Sequence, residues 1–460
     1  MTGTLPDDAV LPQLAAAFDM DLMARLFEGQ LSSPPVDETK VVKCTVEWVK
    51  YKPRQNCLIL YSAEIVGADA HSTRRQMISG RLYPPGQSAT RYAKALHEPL
   101  AETIAFPKVM HLPSLDMVAW TFPNDRKLRH LDRMMPPGES TVDALVQTLD
   151  GDWTPTDVVC QLVHYVPEHT CCIRADVSLR KPVTEDRRYR SMFGKAYYNE
   201  QGERTARHMQ ALARSRACTS GRLSIPRLLS FDPDLRHLWQ QGLPGSMLKQ
   251  SYPDDRYDRR LIAALAKTFS ALHGSGIACS VHVTADDLAG KLVESAQHAG
   301  VAMPAAMPGL LEAAATLQRT VPDERSDRAA VLHGDLHPKN ILVHDQKIAL
   351  IDLDNLMEGP ALHDIGSFAA ALLYRSVLRG KGHDQAVTTL RQLVAAYRQA
   401  SQQPLHGDTL AWHISAALIN ERAHRCVSRL KPGRLPTLQT VAEMAASVAL
   451  NRLEGETLFT

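Results

Sequence analysis

The first half of the chain alternates apolar and polar residues with the two-residue period of strands, and the second half repeats them every three to four residues, as amphipathic helices do. Residues 49–61 (VKYKPRQNCLILY) and 163–175 (VHYVPEHTCCIRA) share Val, Tyr, Pro, Cys and Ile at one offset, and each reads as strand, turn, strand. Residues 79–96 (SGRLYPPGQSATRYAKAL) align with 193–212 (FGKAYYNEQGERTARHMQAL), a short strand followed by a helix. A third pair of blocks runs from Pro107 to Trp120 and from Pro226 to Trp239, again as strands with a proline at an edge. Three blocks in the same order predict a tandem duplication of one β-rich unit. Polar, proline-containing stretches at 134–140 and 150–157 flank a short apolar helix pattern and read as a linker. Beyond residue 246 the 3.6-residue period dominates, in 259–275, 309–320 and 385–401, while 302–316 reads as a loop and a helix start. The expected organisation is an N-terminal helical extension (1–39), two β-rich lobes (40–140 and 141–245) and a helical lobe (246–460), an α+β fold.

Composition narrows the classes of function. With 44% hydrophobic and 22% charged residues over 460 positions, the chain has enough apolar surface for a sizeable core. A formal net charge of +2 gives no global field to recruit nucleic acid or a membrane, so a charged partner must be bound locally. The eight cysteines include no CxxC pair, which excludes a zinc ribbon and a secreted disulfide scaffold and predicts reduced, mostly buried thiols. The N-terminal stretch carries acids where a signal peptide needs a basic flank, and no apolar run reaches membrane-spanning length, so a soluble cytoplasmic protein is expected.

The segment 331–367, VLHGDLHPKNILVHDQKIALIDLDNLMEGPALHDIGS, concentrates the candidate chemistry. Ile341–Val343 and Lys347–Ile351 are apolar strands joined by His344, Asp345 and Gln346, which predicts an antiparallel hairpin with a three-residue turn. Folding it returns Asp352 to the end where Asn340 sits, and these two side chains then offer the hard oxygens that Mg²⁺ takes alongside phosphates and water. Asp335, on the loop entering the hairpin, is placed to accept a hydroxyl proton, so the arrangement suits phosphoryl transfer.

HGDLHPKN followed by LIDLDN resembles the catalytic core of the aminoglycoside phosphotransferase and choline kinase group, which shares the bilobal protein-kinase-like fold. The resemblance covers the chain from about residue 155 onward and is specific in the catalytic segment. It implies Asp335 as catalytic base, Asn340 and Asp352 as Mg²⁺ ligands, His333 as a loop-holding residue and Asp364 as a structural acid. The group usually has Gly where this chain has Lys339, which sets a cation at the mouth of the site. The fold also implies a nucleotide (ATP or GTP) gripped by a small-lobe lysine that a glutamate holds; Lys195 and Glu203 fill these places, with Glu200 a second choice for the acid. In the first repeat the counterparts are Arg81 and Gln87, which cannot reproduce that pair, so the first copy is expected to keep its fold and lose its pocket. No glycine-rich loop occurs; the corresponding hairpin turn is VPEHT, 166–170.

Two other classes compete. The run His333, Asp335, His337, with His344, Asp352 and His363 in reserve, has the residue types of a transition-metal hydrolase, although His337 reads better as structural. A non-catalytic, pseudokinase-like binding protein is the other, and the intact Asp335, Asn340 and Asp352 argue against it. Arg422, Arg425 and Arg429 recur at helical spacing, followed by Lys431 and Arg434. This is either a solvated basic face or a cleft wall. As a wall, together with Lys339, it would repel polycations and favour a neutral or anionic hydroxyl substrate such as a sugar or sugar phosphate.

Overall fold

The computed structural model describes residues 5–32, 39–67, 73–135, 138–146, 153–181, 184–323, 329–380, 382–430, 434–453 and 456–459. They form two compact units. One comprises Met1–Glu203, Leu229–Gly242 and Ser428–Leu430, and the other Arg204–Leu228, Leu243–Val427 and Lys431–Thr460.

The first unit contains two five-stranded sheets. In one, β1 (Lys40–Lys52), β2 (Asn56–Val66), β3 (Thr73–Leu82), β4 (Val109–Leu112) and β5 (Met117–Thr121) lie in the order β1-β2-β3-β5-β4. In the other, β6 (Thr154–Val166), β7 (Thr170–Arg180), β8 (Arg187–Tyr197), β9 (Leu228–Asp232) and β10 (His237–Gln241) repeat that order as β6-β7-β8-β10-β9. The register repeats as well: Arg81 of β3 lies opposite Leu58 of β2, and Lys195 of β8 lies opposite Cys172 of β7, at one constant offset. The long hairpins bury apolar residues between the sheets, where Trp48, Leu58 and Leu60 of the first join Ile173, Val177 and Trp239 of the second in one core. Full burial of a side chain of this size stabilises by about 1.5–3 kcal/mol. β2 is buried on both faces, because Tyr61 on its opposite face meets Phe27 of the helix Met20–Glu28, with ring centroids 5.4 Å apart.

The segments read from sequence as an N-terminal extension and as a linker have the same construction. Asp8 accepts hydrogen bonds at one carboxylate oxygen from the Tyr51 hydroxyl (2.7 Å) and the Arg54 amide (2.8 Å), and at the other from the Val10 amide (2.9 Å). Asp125 does the same for the Tyr165 hydroxyl (2.6 Å) and the Glu168 amide (2.9 Å), and for the Lys127 and Leu128 amides. Each aspartate is followed by a buried leucine (Leu11, Leu128), a 3₁₀ turn (Ala16–Phe18, Leu131–Met134) and a helix (Met20–Glu28, Glu139–Val146). The second helix is no loose tether. Ala144 and Leu145 enter the shared core, and the Ser140 hydroxyl accepts the Trp239 indole N–H at 2.9 Å. Residues 136–137 and 147–152 of the expected linker lie outside the described residues.

The second unit is mainly helical. Helices Arg259–His273, Met307–Arg319 and Asp384–Ser401 fall where the apolar period placed them. Asp258 caps the first through the Leu261 amide. The helix Ala361–Arg379 is buried along most of its length, which its apolar sequence permits, and Phe368 packs on Phe269 at 5.4 Å. Two short antiparallel sheets, of three strands and two, carry the candidate catalytic segment. β13 (Ile341–His344) pairs with β14 (Lys347–Leu350) and with β11 (Ser246–Met247), and β12 (Ala330–Leu332) pairs with β15 (Met357–Gly359). All eight cysteines are free and none is exposed. Among the described residues no helix is long and apolar enough to cross a membrane.

Candidate active site

The hairpin forms in the expected register, Ile341 opposite Leu350 and His344 opposite Lys347, but its turn has two residues. Asp345 and Gln346 both take positive φ (47° and 62°), as the tight turn that matches strand twist requires, so His344 belongs to the strand. Its closed end is locked to the preceding loop. The Ile351 amide donates to the Asn340 carbonyl (3.0 Å), and a His333 ring nitrogen meets the Ile351 carbonyl at 2.9 Å. Asp352 follows in the left-handed region (φ 63°), an uncommon place for a residue other than glycine, and the locked neighbours impose it. Asn340 and Asp352 are thereby brought to one end of the hairpin. The Asn340 amide nitrogen is spent on the Asp335 carbonyl (3.0 Å), which leaves the amide oxygen as the donor a hard cation takes. The donor set therefore fits Mg²⁺.

Asp335 stands in the same loop. His337 accepts the Lys339 amide at Nδ1 (3.2 Å), so its proton lies on Nε2, which is 3.5 Å from the Asp335 carboxylate. The Arg425 guanidinium donates to the other Asp335 oxygen at 3.0 Å. Burial pushes this carboxyl up, but the hydrogen bond from His337 and the charges of Arg425 and Arg422 outweigh it and hold the group far below the usual carboxylate range. A carboxylate this acidic accepts and orients a hydroxyl hydrogen bond well, and takes full ownership of the proton only late.

Behind the loop, Asp364 is fully buried and accepts from the backbone amides of His333 (2.6 Å) and Gly334 (3.0 Å), with a His273 ring nitrogen at 3.3 Å and Tyr397 beyond it at 2.6 Å. Gly334 holds φ +74°, and a Cβ there would run into the Asn355 carbonyl.

The basic run after the metal loop is not one solvated face. A π-helical turn over Leu418–Ala423 interrupts the three-and-four spacing. Arg422 is buried against Glu421 (2.9 Å) and the Ser367 carbonyl, and Arg425 reaches Asp335. Arg429 belongs to the first unit, its guanidinium 4.4 Å from the Trp48 ring centroid, and Arg434 lies over Tyr374. Lys431 lies outside the described residues. Sequence spacing flagged Arg425 but not its partner, because the π turn that aims it leaves no signature in residue types.

Lys195 is buried near the end of β8, between Cys172 and Leu238 on its neighbouring strands. Glu203 is exposed on the first turn of the helix Gln201–Arg214 and makes no ion pair among the described residues; Glu200 is also exposed and unpaired. The expected lysine–glutamate pair is thus not formed, because the helix turns Thr205, Ala206 and Met209 inward and Glu203 outward. A cavity of about 270 Å³ is lined by Asn56, Arg81, Tyr83, Gln87, Arg91 and Arg126 among others. The hydrolase reading gains nothing: among the described residues no three His, Cys, Asp or Glu side chains form a metal-binding group, and a His333 ring nitrogen is already committed to Ile351.

Residues 181–397 match the model of the phosphotransferase enzyme family. No curated protein matches the sequence. Among solved structures, the chain is similar to a candidate aminoglycoside phosphotransferase from Ralstonia eutropha, with 15% identity over 68% of this chain and 99% of that one and a TM-score of 0.48. It is also similar to choline kinase from Cryptosporidium parvum (11% identity, 64% and 90% of the two chains, TM-score 0.46). A third is spectinomycin phosphotransferase solved with ADP and spectinomycin (13%, 63% and 92%, TM-score 0.43).

Proposed function

Residues 181–397 match the phosphotransferase enzyme family, and from that match we propose that the enzyme transfers the γ-phosphoryl group of ATP or GTP to a hydroxyl of a small neutral or anionic metabolite, such as a sugar or sugar phosphate. The observation that carries the reading is the convergence of Asp335, Asn340 and Asp352 at one end of a locked hairpin. In it Asp335 orients the acceptor hydroxyl, and Asn340 and Asp352 hold Mg²⁺, which supplies charge neutralisation on the nucleotide phosphates when bound. Lys195, buried in the second sheet, binds phosphate, and the exposed Glu203 does not hold it.

The two sheets are, in this reading, two copies of one small lobe, each beginning at its aspartate turn (Asp8, Asp125). The shared strand order, the constant offset from Arg81 to Lys195 and the repeated Asp–Tyr–turn hydrogen bonds support it. Only the second copy carries a lysine at the phosphate position. For the acceptor, Arg425 beside Asp335 and Lys339 in the same loop set positive charge where a polyamine would have to bind.

Asp335→Asn tests the assignment. General-base or orienting groups are worth about 10²–10⁴ in rate, so turnover should fall by that factor while ATP still binds. Unchanged turnover in a folded variant would remove Asp335 from the site. A screen of aminoglycosides, sugars, sugar phosphates, choline and amino alcohols tests the acceptor, and efficient phosphorylation of an aminoglycoside would refute the charge argument.

A further inference from the structure

The turn at 166–170 in the Lys195 sheet is gripped in part by Arg81, which stands in the other sheet where Lys195 stands in this one. The geometry points to Glu168, the middle residue of the β6–β7 turn, as a positioning residue for nucleotide binding, held in a socket made by Arg81 of the first copy and by Arg126, which follows Asp125 at the start of the second. This rests on the reading that the Lys195 sheet takes the nucleotide.

Both guanidiniums grip the one carboxylate. Oε1 accepts from Arg81 Nε and Arg126 Nε, each at 2.8 Å, and Oε2 accepts from Arg81 Nη2 (2.6 Å) and Arg126 Nη2 (2.5 Å). Such paired forks fix direction as well as distance. Arg81 is itself steadied by the Asn56 side chain at 2.7 Å. The Glu168 side chain is 7% exposed and that of Arg81 14%. Burial pushes the Glu168 carboxyl up, but the two arginines prevail and hold it below its ordinary value, so it stays ionised.

Comparison of the two copies separates this clamp from the needs of folding. In the first copy the residue at the same place is Arg54, also at the turn, also left-handed (φ 58° against 61°), and also donating its amide to an aspartate. Arg54 is exposed, and among the described residues its side chain has no partner. The turn therefore forms without an anchor on its own middle side chain, and the carboxylate is confined to the copy whose turn faces nucleotide chemistry. Its socket uses Arg81, the residue that stands where Lys195 stands in the other sheet. The first copy has exchanged phosphate binding for holding its neighbour's turn. A turn lacking the glycine-rich sequence cannot approach phosphate closely by backbone flexibility, and pre-ordering it lowers the entropy cost of binding.

The test uses the full chain as wild type, Glu168→Gln, Arg81→Met and the double variant. Hydrogen exchange of the peptide spanning 166–170 reports the turn directly, and titration with ATP and Mg²⁺ reports affinity. Faster exchange in that peptide, unchanged exchange in 331–352 and a weakening of ATP binding by roughly three- to tenfold are expected in each single variant. The double variant should be no worse than the weaker single one, since both changes cut one interaction. Unchanged exchange at 166–170 overturns the clamp whatever the activity. Faster exchange with unaltered ATP affinity overturns its role in nucleotide binding, and so does a loss confined to melting temperature. Full turnover by Asp335→Asn would instead strike the catalytic reading, while the exchange and ATP titrations still judge the clamp.

Discussion

Asp364→Asn probes whether the catalytic loop is held from behind by charge. Asp364 accepts three hydrogen bonds in a fully buried position, two from the His333 and Gly334 amides and one from His273. An asparagine keeps the shape but must turn an NH₂ group toward one of these donors. The loss is one charge-assisted hydrogen bond, about 1.5–3 kcal/mol, plus the desolvation of a buried donor left without an acceptor, about 1–3 kcal/mol. The sum, roughly 2.5–6 kcal/mol, corresponds to a fall in melting temperature of roughly 5–24 °C at about 2–4 °C per kcal/mol for a domain of this size. Burial alone would raise the Asp364 carboxyl, but the His273 hydrogen bond, the charges of His273 and His333 and the His333 amide keep it below its ordinary value. The stability it contributes is therefore complete above the unfolded-state pKa and is lost as pH falls through the lower folded one. Urea unfolding of wild type and variant should differ by a constant amount from about pH 5 upward and converge in acid. A difference below about 1 kcal/mol at pH 7, or one that grows on acidification, would refute the account of Asp364 as an ionised anchor.

The remaining predictions are simpler. Lys195→Met should weaken ATP binding by roughly tenfold or more, with the melting temperature little changed, because methionine fills the buried stem; equal ATP affinity in calorimetry would show that this lysine meets no phosphate. Asp352→Ala should abolish the Mg²⁺ dependence of nucleotide binding, and a titration still sensitive to Mg²⁺ would exclude it as a ligand. Asp255, fully buried, receives Arg375 (2.8 Å) and Arg379 (2.6 Å). Removing it by Asp255→Ala leaves two partly buried guanidiniums unmatched and should cost about 3–5 kcal/mol, read as a lowered urea midpoint; an unchanged midpoint would mean that solvent already compensates the pair.

The catalytic segment was legible because its parts are contiguous. Two β-branched strands and a short polar turn dictate a hairpin, and a hairpin dictates that Asn340 and Asp352 meet. Contacts made through an irregular backbone were not legible. Arg422 and Arg425 share a face only on an uninterrupted α-helix, and the π turn at Leu418–Ala423 sends one inward and the other to Asp335. Glu203 was chosen because it opens a helix, yet residue type at a helix start does not say which face is buried, and Ala206, Met209 and Leu212 are the buried ones. The turn between β13 and β14 was read one residue too long because His344 is polar, whereas an edge position in a ladder tolerates histidine as readily as a turn does.

The extent of the repeat is a different case, for here the signal was present and local. Pro6, Asp8, Leu11 and Leu14 stand in the same spacing as Pro123, Asp125, Leu128 and Leu131. Four matched residues in an otherwise diverged stretch look like chance until the hydrogen bonds give each a task. The aspartate ties a tyrosine and a turn amide together, and the leucines enter the core. Once the backbone requirement is known to be common to both copies, whatever differs at matched places cannot be explained by folding. Lys195 against Arg81 and Glu168 against Arg54 are two such differences, and the structure joins them: Glu168 of one copy is bound by Arg81 of the other. On the proposed duplication, simple decay would leave the old site without charge, whereas here a guanidinium stands there with a partner. That pairing ties retention of the first copy to the conformation of the second.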